Sequence, residues 1–389
     1  MAANNLTTNQ MGTVLKNLTA QVIGEEALAT VNTGDFVSVG TKLLQAGYDA
    51  LGTGISQVLG KTIFSIRAYD GKFKGLMKSD IEWGNHVRKI TAIENDWEND
   101  ERYEVQDYIA ADMYKVRKPK AVQLNFYGQN VFQVVYTTFR DQYKQAFTSP
   151  NELQNFLTLY MTTVRNQIAQ KRETVARATL ANMIAGKTLC DAKNVRHLVT
   201  EYNDEMGTDL TTEAALQPAN FDGFMKWVFA TIMNTSDLME ERTTHYHMEL
   251  TGATVLRHTP KDKQKLYMYS PIMRKVETAV LASLFHDEYL KIDYEPVGFW
   301  QAIDSADGIN VTPSYIDAAG SVKTATDPVA LANILGVLFD EEAVGVNTIN
   351  EWSSTTPFNS AGGYTNTFYH FTERYYNDFT ENFVVFVLD

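Results

Sequence analysis

The stretch that most constrains this chain is Ser149-Pro150-Asn151-Glu152 and the run behind it. A serine, a proline directly after it and a glutamate three residues after the serine form a capping box with proline at the first helical position. Leu153, Phe156, Leu157, Tyr160, Val164, Ile168 and Val175 follow at helical spacing, and Gly186 offers a stop. The pattern predicts one helix over about 150–186, roughly 55 Å long at 1.5 Å per residue. In a mixed chain of 389 residues, so long a helix serves as a spine.

The regions on either side differ from it and from each other. Residues 1–60 are rich in Ala, Thr, Asn and Gly, with Phe36, Leu43, Leu44 and Tyr48 on one face of a single short helix. They read as an extended arm. Lys61–Tyr69 reads as a strand, followed by GKFKG (71–75) and a charged stretch with little apolar material. Acidic residues gather at Glu94, Asp96, Glu98, Asp100, Glu101 and Glu104, and basic ones at Lys115, Arg117, Lys118 and Lys120. A long segment without a core of its own signals function or disorder, and Trp97 and Tyr103 argue against disorder. A hairpin projecting onto a neighbouring molecule accounts for it.

From 195 onward the chain reads as α+β. Asn220 is placed to cap a helix whose face is Phe221, Phe224, Met225, Val228 and Ile232. THYHMEL (244–250) reads as a strand, and Val276–Phe285 as a helix. The end of the chain reads as sheet: GVLFD (336–340), AVGVNTINEW (343–352), a hairpin signal at Asn359–Gly363, then YTNTFYHFTERYY and ENFVVFVLD. The last strand is apolar on both faces and is expected at the centre of a sheet.

Composition narrows the function classes. The net charge of −13 repels nucleic-acid phosphates and disfavours a sequence reader, while leaving room for a protein that encloses DNA without gripping it. One cysteine, Cys190, permits no intrachain disulfide and no multi-cysteine metal site. The N-terminus lacks the pattern of a signal peptide, and FVVFVL (383–388) is far too short for a membrane span. A soluble, unsecreted protein without membrane contact is expected.

Three constellations carry a trace of chemistry. Ala181 to Gly186-Lys187-Thr188 fits a relaxed phosphate-loop pattern, but lies at the end of the predicted spine, where the dipole is negative and carbonyls point outward. A second match, Gly54 to Gly60-Lys61-Thr62, is one residue too long and runs into a strand. His245, His247 and Glu249 would share a strand face, without a further ligand cluster, and Asp340-Glu341-Glu342 lies where a strand must turn. No catalytic residues, cofactor or metal are expected.

The order of parts resembles the Hong-Kong-ninety-seven-type capsid fold of tailed phages, nearest to the short-tailed phi-twenty-nine kind. The resemblance is carried by GKFKG with LMKSDIEWGNHVRKI, by KPKAVQLNFYGQNVFQVVYTTFRDQYKQAF, and by ILGVLFDEEAVGVNTINEW with GGYTNTFYHFTERYYNDFTENFVVFVL. It implies an arm (1–60), an extended loop (61–120) lying over the adjacent subunit, a peripheral domain (121–194 and 336–389) and an axial domain (195–335). It also implies pentamers and hexamers in an icosahedral or prolate shell, a portal, and assembly in the host bacterial cytoplasm. Residues 1–60 are too short and too poorly charged to be a fused scaffold, so a separate scaffolding protein is expected. Lys72, Phe73, Lys74, Trp83, Trp97, Glu98, Tyr103, Arg117 and Lys118 are the expected inter-subunit contacts. An encapsulin-like compartment shares this fold, and a P-loop NTPase using Lys187 is the alternative from another class.

Overall fold

The computed structural model describes residues 73–78, 87–93, 114, 116, 118, 120–146, 150–251, 254–280 and 294–389. The spine is a single helix, Pro150–Cys190, about 60 Å long. Proline occupies its first position as the sequence predicts, while Ser149 lies outside the described residues. Gly186 does not stop the helix, which runs on to Cys190. The glycine is there for packing: a Cβ at Gly186 would stand 2.5 Å from a ring carbon of Phe379. Only a residue without a side chain lets that ring lie against the helix.

The helix has two environments. Around Val164 and Ile168 one face is buried, against Tyr369 and Phe371 of a four-stranded sheet. From Val175 to Lys187 burial extends nearly all the way round. There the small residues Ala176, Ala181 and Ala185 bring the backbone close to the main core, which includes Val337, Phe339, Phe383 and Val385.

The five-stranded sheet runs Val195–His197, Phe383–Val387, Ile334–Asp340, Gln264–Tyr269, Glu295–Val297 in spatial order. Phe383–Val387 is buried along its whole length, as its two-faced apolar sequence predicts. Successive side chains on a strand point to opposite faces. Phe383, Val385 and Val387 therefore join the core around the spine. Val384, Phe386 and Leu388 join a second core under the helices Pro218–Glu240 and Ser270–Val280.

The four-stranded sheet runs Met77–Lys78, Val344–Thr355, Tyr364–Asn377, Gln129–Phe139. Arg172 on the spine pairs with Glu351 and, at 2.9 Å, with Glu373, which ties helix to sheet. The hairpin expected at Asn359–Gly363 joins the two longest strands, and Gly363 adopts a positive φ of 67°. Strands Val87–Ile93 and Lys120–Phe126 form a separate antiparallel ribbon.

Three local expectations are corrected. The helix over Phe221–Ile232 begins at Pro218 with Gln217 as its N-cap; the Asn220 amide instead donates to the Ala214 carbonyl at 3.0 Å. Residues 244–250 bend rather than extend. Backbone hydrogen bonds tie them one at a time to the last strand and to the turn before it, Phe383 N to Tyr246 O and Met248 N to Phe379 O. The helix read as Val276–Phe285 spans Ser270–Val280, and 281–285 lie outside the described residues. The strand read at Lys61–Tyr69 also lies outside them.

Gly186→Ala distinguishes packing from termination. An exposed helical glycine gains about 1 kcal/mol when replaced by alanine, whereas overpacking costs about 1–3 kcal/mol. A lowered thermal midpoint is expected for Gly186→Ala in the purified chain; a raised one contradicts the packing role of Gly186.

Candidate assembly surfaces

Residues Ala181–Thr188 lie wholly within the spine helix, so their amides are engaged in the helical ladder and no phosphate cradle exists. Lys187 is fully buried. Its Nζ donates to Asp191 Oδ2 at 2.9 Å and to the Phe379 carbonyl at 3.3 Å, and Asn194 Nδ2 donates to the same carboxylate at 2.7 Å. The nucleotide reading of Lys187 is thereby overturned: the ammonium locks the end of the spine to the turn before the last strand. Burial pushes the neighbouring Cys190 thiol up to about 11, which keeps it protonated and unreactive at neutral pH.

The histidine face also dissolves. His245 and Glu249 are exposed while His247 is buried, its ring held between the Val255 carbonyl (2.8 Å) and Asn382 Oδ1 (3.3 Å). The acidic turn is structural. Asp340 accepts from the Glu342 amide and the Thr259 hydroxyl, both at 2.8 Å, and Glu341 pairs with Lys263 at 2.6 Å. Among the described residues no group of His, Cys, Asp and Glu is arranged to hold a metal ion.

The strongest electrostatic feature lies at the root of the ribbon. Lys89 reaches from strand Val87–Ile93 to Asp378 at 2.9 Å, to Glu381, and to Glu342 at 3.5 Å. Burial alone would lower the Lys89 ammonium, but Asp378 and Glu381 overcome it and hold the group above its ordinary value. Arg257 adds a 3.1 Å pair with Glu381 and donates to Thr91 Oγ1 at 3.2 Å. An open groove of about 700 Å³ runs alongside, lined by Arg242, Arg257, Lys263, Glu341 and Glu342. Nothing in the local sequence pairs position 89 with 378 and 381, which explains why this anchor was not legible.

Phe73, expected at a subunit contact, is instead 1% exposed in the chain's own core, with its ring 5.5 Å from that of Tyr267. Leu76 is equally buried, and Met77–Lys78 pairs in parallel with Val346–Asn347. The apolar residues of this short stretch fold onto their own molecule, which corrects the expectation for the beginning of the 61–120 segment. Lys74 opens the turn Lys74–Leu76, and Lys118 is exposed. Lys72, Trp83, Trp97, Glu98, Tyr103 and Arg117 lie outside the described residues. The ribbon's two faces differ: Lys89, Thr91, Val122 and Leu124 are partly covered, while Arg88, Ile90, Ala92, Gln123 and Asn125 are exposed.

A spine helix crossed by two sheets, with a ribbon anchored beside them, is the arrangement that known proteins share with this chain. A chain in the capsid structure of Staphylococcus phage Andhra is similar to it, with a TM-score of 0.53 and 12% identity over 83% of this chain and 86% of that one. A chain in the structure of head fiber and inner core protein gp22 of native bacteriophage P68 is similar at a TM-score of 0.52 and 11% identity, with the same two coverages, 83% and 86%. No curated protein matches the sequence. The family model of the Phi29-like phage major capsid protein matches residues 12–387, and the chain belongs to that family. It is a capsid protein that forms the head shell of a tailed phage virion.

His247 gives the body a predictable acid response. Burial pushes its imidazole from 6.5 down to about 4, so between those values the unfolded chain binds a proton that the folded chain refuses. The stability this contributes is complete above about pH 6.5 and is lost as pH falls through about 4, up to about 3 kcal/mol. The stability difference between the natural protein and His247→Gln, measured by urea unfolding, is expected to narrow by about that amount from pH 7 to pH 4. An unchanged difference contradicts it.

Proposed function

We propose that the subunit works by assembly and not by catalysis, with pentamers and hexamers of this chain closing an icosahedral or prolate head. The observation that carries this reading is the ribbon Val87–Ile93 with Lys120–Phe126. It is rooted through Lys89 to Asp378 and Glu381 and presents its other face, including the exposed Ile90, to solvent. A rooted ribbon whose outer side is exposed and carries no carboxylate is suited to reach a neighbour.

In this reading segment 61–120 lies over the adjacent subunit, apart from the 73–78 stretch and the rooted side of the ribbon. Lys72, Trp83, Trp97, Glu98, Tyr103, Arg117 and Lys118 supply its contacts, joined by the Lys74 side chain from the stretch that folds back. The arm is 1–60, the peripheral domain 121–194 with 336–389, and the axial domain 195–335. The acidic run near Glu98 and the basic run near Lys118 pair between copies, which fixes register more than it adds affinity. A separate scaffolding protein and a portal take part, assembly occurs in the bacterial cytoplasm, and DNA is enclosed without sequence-specific binding, as the net charge of −13 favours.

Electron microscopy of the recombinant protein, alone and with a candidate scaffold, is expected to show closed particles or curved sheets. Soluble monomers under every condition contradict the proposal. Within it, Lys118→Glu is expected to reduce particle yield several-fold, and adding Glu98→Lys to restore it; equal loss in the double variant removes the charge pairing.

A further inference from the structure

One cross-strand row of the four-stranded sheet, close to the root of the ribbon, carries a nitrogen donor on every side chain. Lys78 stands beside Asn347, Asn347 beside Arg374, and Arg374 beside Gln129. Side chains alternate between the faces of a strand. Val346 enters the core around the spine and Glu373 meets Arg172, so Asn347 and Arg374 belong to the face turned away from the helix. With strands about 4.8 Å apart, the four residues span roughly 14 Å. An ammonium, two amides and a guanidinium line up there without a carboxylate.

The guanidinium is the anomaly. Arg374 is 5% exposed, and its Nη1 is buried with no hydrogen-bond acceptor among the described residues. A buried charge left unpaired is costly. Arg172, Arg177 and Arg257 show the usual solution, with Glu351 and Glu373, Glu173, and Glu381 as their partners. Arg374 has no such partner among the described residues.

Its surroundings supply none. Tyr376, in the next row of the same face, lies over Gly345, where a Cβ would stand 2.5 Å from the ring. It also packs on Phe126 at 5.3 Å, and burial pushes its phenol up to about 12, so it remains neutral. On the other side the register shifts between Thr348 and Asn350, a bulge of the kind that re-aims side chains. The acidic turn that acts on Lys78 is committed elsewhere, Asp340 to Thr259 and Glu341 to Lys263. Burial pushes the Lys78 ammonium down in spite of Glu341 and Glu342.

We infer that this row binds a small oxyanion, a phosphate or a carboxylate, which accepts from the Arg374 guanidinium and the flanking amides while Lys78 adds charge. The inference goes beyond the assembly reading and does not depend on it. The planar fork of a guanidinium matches two oxygens of either group. Two cations roughly 10 Å apart, with no carboxylate between them, hold a local positive potential in a chain whose net charge is −13. The oxyanion comes either from solution or from a carboxylate of another molecule in the head.

The test takes the full chain as free subunit, with inorganic phosphate as the probe. Phosphate also stabilises proteins without binding, by exclusion from their surface, so the natural protein is compared with Arg374→Met. That variant loses an unpaired buried charge and is expected to fold. When phosphate replaces chloride at constant ionic strength, the thermal midpoint of the natural protein is expected to rise, saturably, about 2 °C more than that of Arg374→Met. Equal rises overturn the site. Titration calorimetry provides a second arm: a saturable heat of phosphate binding is expected for the natural protein, several-fold weaker binding for Lys78→Met, and none for Arg374→Met. No heat from the natural subunit overturns the inference and leaves the assembly reading untouched. The same titration on closed heads separates the sources. Binding retained there identifies an anion from solution, and binding present in the subunit but lost in heads identifies a carboxylate supplied by a neighbour.

Discussion

The close approach of the second half of the spine helix to the five-stranded sheet is the contact on which the rest of the molecule depends. Ala176, Ala181, Ala185 and Gly186 thin the helix where it passes through the core, and Phe379 fills the space that Gly186 leaves. The same approach places Lys187 where no water can reach it, and its charge is met by Asp191 and by the Phe379 carbonyl. Removing one partner of such a buried pair costs about 3–5 kcal/mol, so the turn before the last strand cannot drift from the helix. Strand Phe383–Val387 follows directly and serves two cores at once through its alternating side chains.

From that fixed turn the ribbon takes its position. Asp378 and Glu381 flank Phe379 in sequence and are the residues that Lys89 reaches. One short turn thus receives the end of the spine on one side and the root of the ribbon on the other. A ribbon held firmly to its own body suits a shell, where small angular errors at each contact would multiply over many copies.

Much of this was legible in the sequence. Pro150 and the spacing from Leu153 to Val175 revealed the spine because helical periodicity is a local property. The run FVVFV revealed a central strand because it offers no polar face to water. Segment 244–250 was misread because its alternation suits a strand, whereas the chain there bends around the buried His247 ring, held by the Val255 carbonyl and Asn382. Gly186 was misread because a glycine that ends a helix and a glycine that admits a ring from 193 residues away look alike along the chain.

The sequence by itself determined the elements, their order, and the family to which they add up, since periodicity, capping and turn chemistry act over a few residues. Only the tertiary structure decided what those elements enclose: that Phe73 belongs to the core, that Lys187 is a buried tie, and that Lys89 anchors the ribbon. Those outcomes depend on burial and on charges meeting across hundreds of residues. Distance in space is set by the packing of all the elements together and is not written at any one position.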